Sequence, residues 1–250
     1  MNDLIREIEN ADSIAITGHI NPDGDCIGST LGMYNYITSN YPGKKVQVYL
    51  QKFPDVFMFL NGASEVKHET DDEIYDLFMS LDCGDPDRFT PFAQYFETAK
   101  RTLCIDHHIS NKGFGDVCYV EPQACSAAEA IFKLLDEDKI NQPCAEALYM
   151  GIVHDTGVFK HSNTTRSAMT IAGILIEKGA RPSFVIDETF YKKTLTQNKL
   201  LGYALLGMKQ FANGKIAHTL LTFEDFEKFG ASKMDTDLSL IHISEPTRLD

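Results

Sequence analysis

His19, Asp23 and Asp25 fall within Thr17-Gly18-His19-Ile20-Asn21-Pro22-Asp23-Gly24-Asp25, and further along come Asp82, Asp106-His107-His108 and His154-Asp155. Imidazole nitrogen and carboxylate oxygen together suit a divalent transition metal such as Mn²⁺ better than calcium, which prefers all-oxygen cages. The chemistry such a set supports is metal-assisted hydrolysis. Each cluster also has a plainer reading. Asn21-Pro22-Asp23-Gly24 is an ordinary turn sequence, Asp82 fits a helix cap or turn, and Asp155 fits a turn ahead of Gly157. The two histidines at Asp106-His107-His108 follow a strand, where neighbouring side chains project to opposite sides and could serve two roles.

The elements around these clusters decide between the readings. Ser13 to Thr17 reads as a short buried strand, and Cys26 to Ser39 as a helix entered through the Gly- and Pro-containing loop. Val46 to Leu50 alternates like a second strand. Asp76 to Leu81 is a third, ending at Asp82-Cys83-Gly84-Asp85. A helix over about Pro86 to Lys100 leads to a fourth strand, Thr102 to Ile105, ending at Asp106. Helices follow at Ser126 to Leu135, at Cys144 to Val153, which delivers His154-Asp155 at its carboxyl end, and at Thr165 to Lys178, stopped by Gly179. Strands alternating with helices predict an α/β fold, a doubly wound, mainly parallel sheet. Three of the polar clusters follow apolar strands, at the edge where open α/β sheets bind ligands. Asp187 to Thr196 looks like a boundary. Beyond it a helix over Gln197 to Gln210, a strand over Lys215 to Thr222 and a helix over Phe223 to Phe229 begin a smaller unit.

Composition narrows the class. The chain has 250 residues, 43% of them hydrophobic and 24% charged, ordinary values for a globular enzyme. A formal charge of −13 argues against sequence-blind binding to long duplex nucleic acid, which needs a basic surface. Small anionic substrates stay open, because bound divalent cations reverse the local sign. The amino terminus lacks the apolar core of a signal peptide, no stretch approaches the roughly 20 apolar residues of a membrane span, and the six cysteines include no Cys-x-x-Cys pair. Together these predict a cytoplasmic protein with reduced thiols and no membrane partner.

The order and spacing of His19-x-x-x-Asp23-x-Asp25, Asp82, Asp106-His107-His108 and His154-Asp155 resemble the DHH family of phosphoesterases, over most of the chain from about Ile14 to at least Thr222. The phrasing Leu81-Asp82-Cys83-Gly84-Asp85, Ile105 to Asn111 and Asp155-Thr156-Gly157-Val158-Phe159 looks most like the bacterial nano-RNase (oligoribonuclease)/pAp phosphatase branch. The resemblance implies two Mn²⁺ ions and no organic cofactor. His19 and Asp23 would bind one ion, Asp25, His107 and Asp155 the other, and Asp82 would bridge them, with a bridging hydroxide as nucleophile. Asp106 would orient a ligand histidine. His108, pointing away from the metals, would contact the scissile phosphate, with a satisfied core histidine as its plainer reading; Asp85, Asn111 and His154 would be supporting groups. Substrates implied are short single-stranded RNAs and 3′-phosphoadenosine 5′-phosphate (pAp). A homodimer is compatible with all of this.

The pattern also breaks. The family carries a DHH-associated domain with a Gly-Gly-Gly-His motif and a substrate-binding arginine, and this chain contains no Gly-Gly pair. The expected division is a DHH domain over 1–190, the linker helix and beginning of a truncated α/β DHH-associated domain over 191–237, and a non-native tail over 238–250. Alternatives are a family II-like inorganic pyrophosphatase, a phosphodiesterase of cyclic or linear dinucleotides, or a noncatalytic metal- and nucleotide-binding module.

Overall fold

The computed structural model describes residues 3–232 and 235, so the tail expected over 238–250 lies outside the described residues. Two compact units divide the chain, Met1–Phe190 and Tyr191–Asp250.

The first unit opens with α1 (Asp3–Asn10), β1 (Ser13–Thr17), α2 (Gly24–Asn40), β2 (Lys45–Tyr49) and β3 (Leu77–Leu81). A 3₁₀ turn at Pro86–Phe92 then leads into α3 (Ala93–Thr98), β4 (Arg101–Asp106), β5 (Val117–Val120), α4 (Ala127–Leu134) and α5 (Gln142–Asp155). It closes with α6 (Arg166–Glu177) and α7 (Pro182–Ile186), and a π turn at Asp187–Tyr191 spans the boundary. The strands form one sheet in the order β2-β1-β3-β4-β5, with every pairing parallel. The central register sets Ile14 beside Leu77 and Leu77 beside Arg101.

Parallel strands covered on both faces need apolar residues on both faces, and β3 is buried at all five positions. Alternation sorts them. Ile14, Ile16, Leu77 and Met79 join the larger core, with Ile27 and Leu31 of α2 and Leu148 and Ile152 of α5. Ala15 and Phe78 face the opposite way, onto Phe89, Phe92 and Tyr95. In the larger layer α2 and α5 approach closely because Gly28 offers no side chain; a Cβ there would stand 2.5 Å from the Ala147 carbonyl oxygen. Since all strands run the same way, the ends of β1, β3 and β4 open on one edge of the sheet.

Several elements differ from the sequence expectation. The single helix over Pro86 to Lys100 is a 3₁₀ turn followed by α3, because Pro91 supplies no amide donor and Phe89 has non-helical angles (φ −114°, ψ 25°). The third strand starts at Leu77, since the Asp76 carboxylate is turned back to accept the Ser13 amide at 3.0 Å. The short edge strand β5 carries too brief an apolar run to stand out. The six cysteines are free thiols, and all but half-buried Cys118 are buried.

In the second unit, α8 (Leu195–Leu206) starts at a capping box made by Thr194 and Gln197. It ends before Gly207, so Lys209 and Gln210, expected helical, lie instead in β6 (Lys209–Phe211). A turn through Ala212, Asn213 and Gly214, all at positive φ, pairs β6 antiparallel with β7 (Ile216–His218), shorter than the strand expected over Lys215 to Thr222. α9 (Phe223–Phe229) follows, with the Phe229 and Tyr203 ring centroids 5.3 Å apart. Among the described residues no helix is long and apolar enough to cross a membrane.

Candidate metal centre

Four chain segments deliver acids and histidines to the carboxyl edge of the sheet. His19 follows β1, and its Nδ1 donates to its neighbour's carbonyl, that of Ile20, at 2.8 Å. That bond fixes the ring and leaves Nε2 facing Asp82 Oδ2 at 3.4 Å and Asp23 Oδ2 at 3.6 Å. Asp23 uses its two carboxylate oxygens differently. Its Oδ1 caps α2 by accepting from the Asp25 and Cys26 amides at 3.1 Å, while Oδ2 is turned to His19.

Asp25, in the first turn of α2, is buried and held by three donors: Ala127 N at 2.6 Å, Ala128 N at 3.0 Å and Ser29 Oγ at 3.2 Å. The two amides open α4, whose N-cap Ser126 accepts from Glu129 N. Asp82 leaves β3 in a left-handed conformation (φ 58°) that aims its carboxylate into the cluster. It is almost wholly buried. Its Oδ1 has no hydrogen-bond partner yet lies 3.6 Å from His107 Nε2 and 3.7 Å from His108 Nδ1. His107 Nε2 also faces Asp155 Oδ2, at the end of α5, at 3.3 Å, and Asp25 Oδ2 at 3.9 Å.

Two expectations about the histidine pair need correction. Asp106 does not orient His107; its Oδ1 accepts from His108 Nδ1 at 2.7 Å, and its Oδ2 accepts from Asn111 Nδ2 at 2.7 Å. His108 does not point away from the cluster either, since its ring centroid is 4.9 Å from that of His107 and both approach Asp82. The physical reason is that β4 ends at Asp106, so strand alternation no longer governs the two residues after it.

Asn111 is a supporting group as expected, tied also to the Cys83 carbonyl at 3.1 Å. His154 and Asp85 are placed differently. His154 packs over Gly24 and between Phe57 and Phe190, at ring centroids of 5.4 and 4.5 Å. Asp85 is exposed and caps the following turn through the Asp87 amide. Two supports escaped the sequence reading: the α4 amides on Asp25, and Asn163, whose Nδ2 donates to the Asp155 carbonyl at 3.0 Å and the Cys125 carbonyl at 3.1 Å. Ser126-x-x-Glu129 signalled where α4 starts, but nothing local says which carboxylate it meets.

Electrostatics shows how crowded these acids are. Burial, then the charges of Asp25 and Asp23, push the Asp82 carboxyl up to about 8, and burial with Asp25 and Asp82 pushes Asp155 up to about 9. Burial also raises Asp25. Burial disfavours the His19 imidazolium, but Asp23 and Asp82 outweigh it and lift that group to about 10. Such a set calls for positive charge. Ligand atoms from Asp25, His107 and Asp155 lie within 4.8 Å of one another, as do those from Asp82, His107 and His108 and from His19, Cys26 and Asp82. Burial pushes the Cys26 thiol up. The unpartnered Asp82 oxygen at the meeting of these groups fits a cation.

A parallel α/β sheet with carboxylates and histidines at its carboxyl edge defines a class, and comparison with known proteins gives the family. The profile of the DHH family, N-terminal domain, matches residues 13–152, and the chain belongs to that family. It is therefore a phosphoesterase of the hydrolase class, in a metal-dependent family. It is 30% identical to the bifunctional oligoribonuclease and PAP phosphatase NrnA of Bacillus subtilis, over 92% of this chain and 73% of that protein. A probable bifunctional oligoribonuclease and PAP phosphatase of Streptococcus mutans is also 30% identical, over 99% and 77%. Among solved structures, an exopolyphosphatase-related protein from Bacteroides fragilis superposes with a TM-score of 0.85 at 25% identity, covering 96% of this chain and 74% of that one.

Proposed function

We propose that this chain is a two-Mn²⁺ phosphoesterase that hydrolyses short oligoribonucleotides and pAp. The observation that carries the reading is the buried, unpartnered Asp82 Oδ1, set between the His19 and His107 halves of the cluster. His19 and Asp23 would hold one ion, Asp25, His107 and Asp155 the other, and Asp82 both. When bound, the pair supplies Lewis acidity and an activated water. The residues supply placement. Asp25 is locked by two amides and a hydroxyl, and His19 by its own neighbour's carbonyl, so the ligands need little reorganisation.

His108 has a different task. Its hydrogen bond to Asp106 raises the imidazole above its ordinary value, favouring the imidazolium. Asn111 holds Asp106 from the other side, so the charge is presented in a fixed direction. A fixed cation beside the reacting phosphate stabilises the charge that develops there. The unit beginning at Tyr191 is read as belonging to the DHH-associated domain.

The test is phosphate release from pAp, mononucleotide release from a short RNA, and turnover of a linear diadenylate and of pyrophosphate, each with Mn²⁺ and with EDTA. Activity on pAp or RNA that EDTA abolishes is expected. Turnover of pyrophosphate alone would replace this reading with a family II-like pyrophosphatase, and Mn²⁺ binding without any turnover would replace it with a noncatalytic module.

A further inference from the structure

Five arginines lie among the described residues, and three are paired: Arg6 with Asp3, Arg101 with Glu7 and Asp116, and Arg181 with Glu146. Arg88 and Arg166 form no ion pair with any described residue. In a chain of charge −13 an arginine without an acid is the less common case. Arg88 also follows closely on the loop that carries Asp82.

It lies on the 3₁₀ turn Pro86–Phe92, directly after the loop that carries Asp82, and its side chain is exposed. Its carbonyl accepts the Ile20 amide at 2.6 Å, which joins the loop of His19 to the loop of Asp82 through the Arg88 backbone. Gly84, four residues earlier, packs beneath His108; a Cβ there would stand 3.3 Å from His108 Cβ. The Arg88 backbone is therefore tied to the loops of both halves of the centre, while its side chain is exposed.

We propose that Arg88 binds the phosphate next to the scissile one, so that the centre selects nucleotides with a second phosphate: a nucleoside 3′,5′-bisphosphate, or a short RNA through the phosphate on the 5′ side of the scissile linkage. The inference rests on the phosphoesterase reading above. A guanidinium presents a planar fork of donors that matches two phosphate oxygens, which a lysine ammonium does not reproduce. The metals and His108 are then left to the scissile group.

The experiment compares pAp with adenosine 3′-monophosphate, which lacks the second phosphate, using Mn²⁺-loaded wild type, Arg88→Ala, Arg88→Lys and Arg166→Ala. Wild type is expected to favour pAp. Arg88→Ala lowers that preference by roughly 10- to 100-fold, chiefly through KM, the size of one lost charge-assisted hydrogen bond. Arg88→Lys falls between the two. Mn²⁺ titration by calorimetry gives the same stoichiometry in all four proteins, which separates loss of substrate contact from loss of the metal site. Arg166→Ala removes the same charge from the start of α6 and measures long-range steering alone. A preference kept within about threefold in Arg88→Ala, or lost equally in Arg166→Ala, overturns the proposal. Wild-type hydrolysis of both esters without preference also overturns it while leaving the phosphoesterase reading intact; hydrolysis of neither removes both.

Discussion

Replacing Asp82 with asparagine keeps the shape of the side chain and removes its charge, and in metal-free protein the result should be stabilising. Burial and the neighbouring acids hold the folded Asp82 carboxyl at about 8, against 3.8 for an ordinary aspartate. A carboxyl whose folded pKa is raised lowers stability as pH climbs from the unfolded value towards the folded one, because the folded state binds the extra proton. At pH 7 that interval is about three pH units at about 1.4 kcal/mol each, a penalty of roughly 4 kcal/mol at this position. Asp25 and Asp155 share the same repulsion, and His19 loses one of its two acids, so the net gain for Asp82→Asn is about 1–2 kcal/mol. The assay is urea unfolding at pH 7, in EDTA and in saturating Mn²⁺. In EDTA the variant should unfold at higher urea than wild type and show a flatter loss of stability between pH 4 and pH 8. In Mn²⁺ the order should reverse, since wild type gains about 3 kcal/mol at a hundredfold excess over Kd and the variant lacks the bridging ligand. Destabilisation of the variant in EDTA, or equal stabilisation of both proteins by Mn²⁺, would refute the reasoning.

His108→Ala should lower kcat by about 10²- to 10³-fold while leaving Mn²⁺ stoichiometry at the wild-type value; a matching loss of metal would make His108 a ligand instead. Gly151→Ala places a Cβ 2.6 Å from Asp25 Oδ1 and 2.7 Å from Ala128 Cβ, so it should cost about 1–3 kcal/mol in urea unfolding and weaken Mn²⁺ binding together. Retention of wild-type metal affinity would detach Asp25 from the centre. At the far end of the sheet, Lys100 and the Ser13 amide and hydroxyl hold Asp76 down at about 2. A lowered carboxylate contributes stability above its ordinary value of 3.8 that is lost as pH falls through 2. Asp76→Asn should therefore flatten the acid limb of the stability curve between pH 4 and pH 2, and an unchanged limb in acid titration would contradict the assignment.

The features that the sequence made legible are those encoded locally. Ile14 to Ile16 and Leu77 to Leu81 are apolar runs that only a doubly covered parallel sheet can bury, and the polar groups just after them had to lie at its carboxyl edge. Asp82 and Asp155 were less secure as single residues than as members of an ordered set. What stayed hidden depends on chain folding over long separations. The Ala127 and Ala128 amides that hold Asp25 lie about a hundred residues away, and backbone donors leave no mark on residue type. Asn163 is hidden for the same reason. The His107-His108 geometry departs from strand alternation because the strand stops at Asp106.

The central claim is a pair of metal ions joined by Asp82. It is tested most directly by electron paramagnetic resonance of the protein titrated with Mn²⁺, with Asp82→Asn alongside. Two ions about 3.5–4 Å apart are predicted to bind per chain and to give the signal of an exchange-coupled pair, which the variant loses. A single ion, or two uncoupled ions unaffected by the substitution, would contradict it.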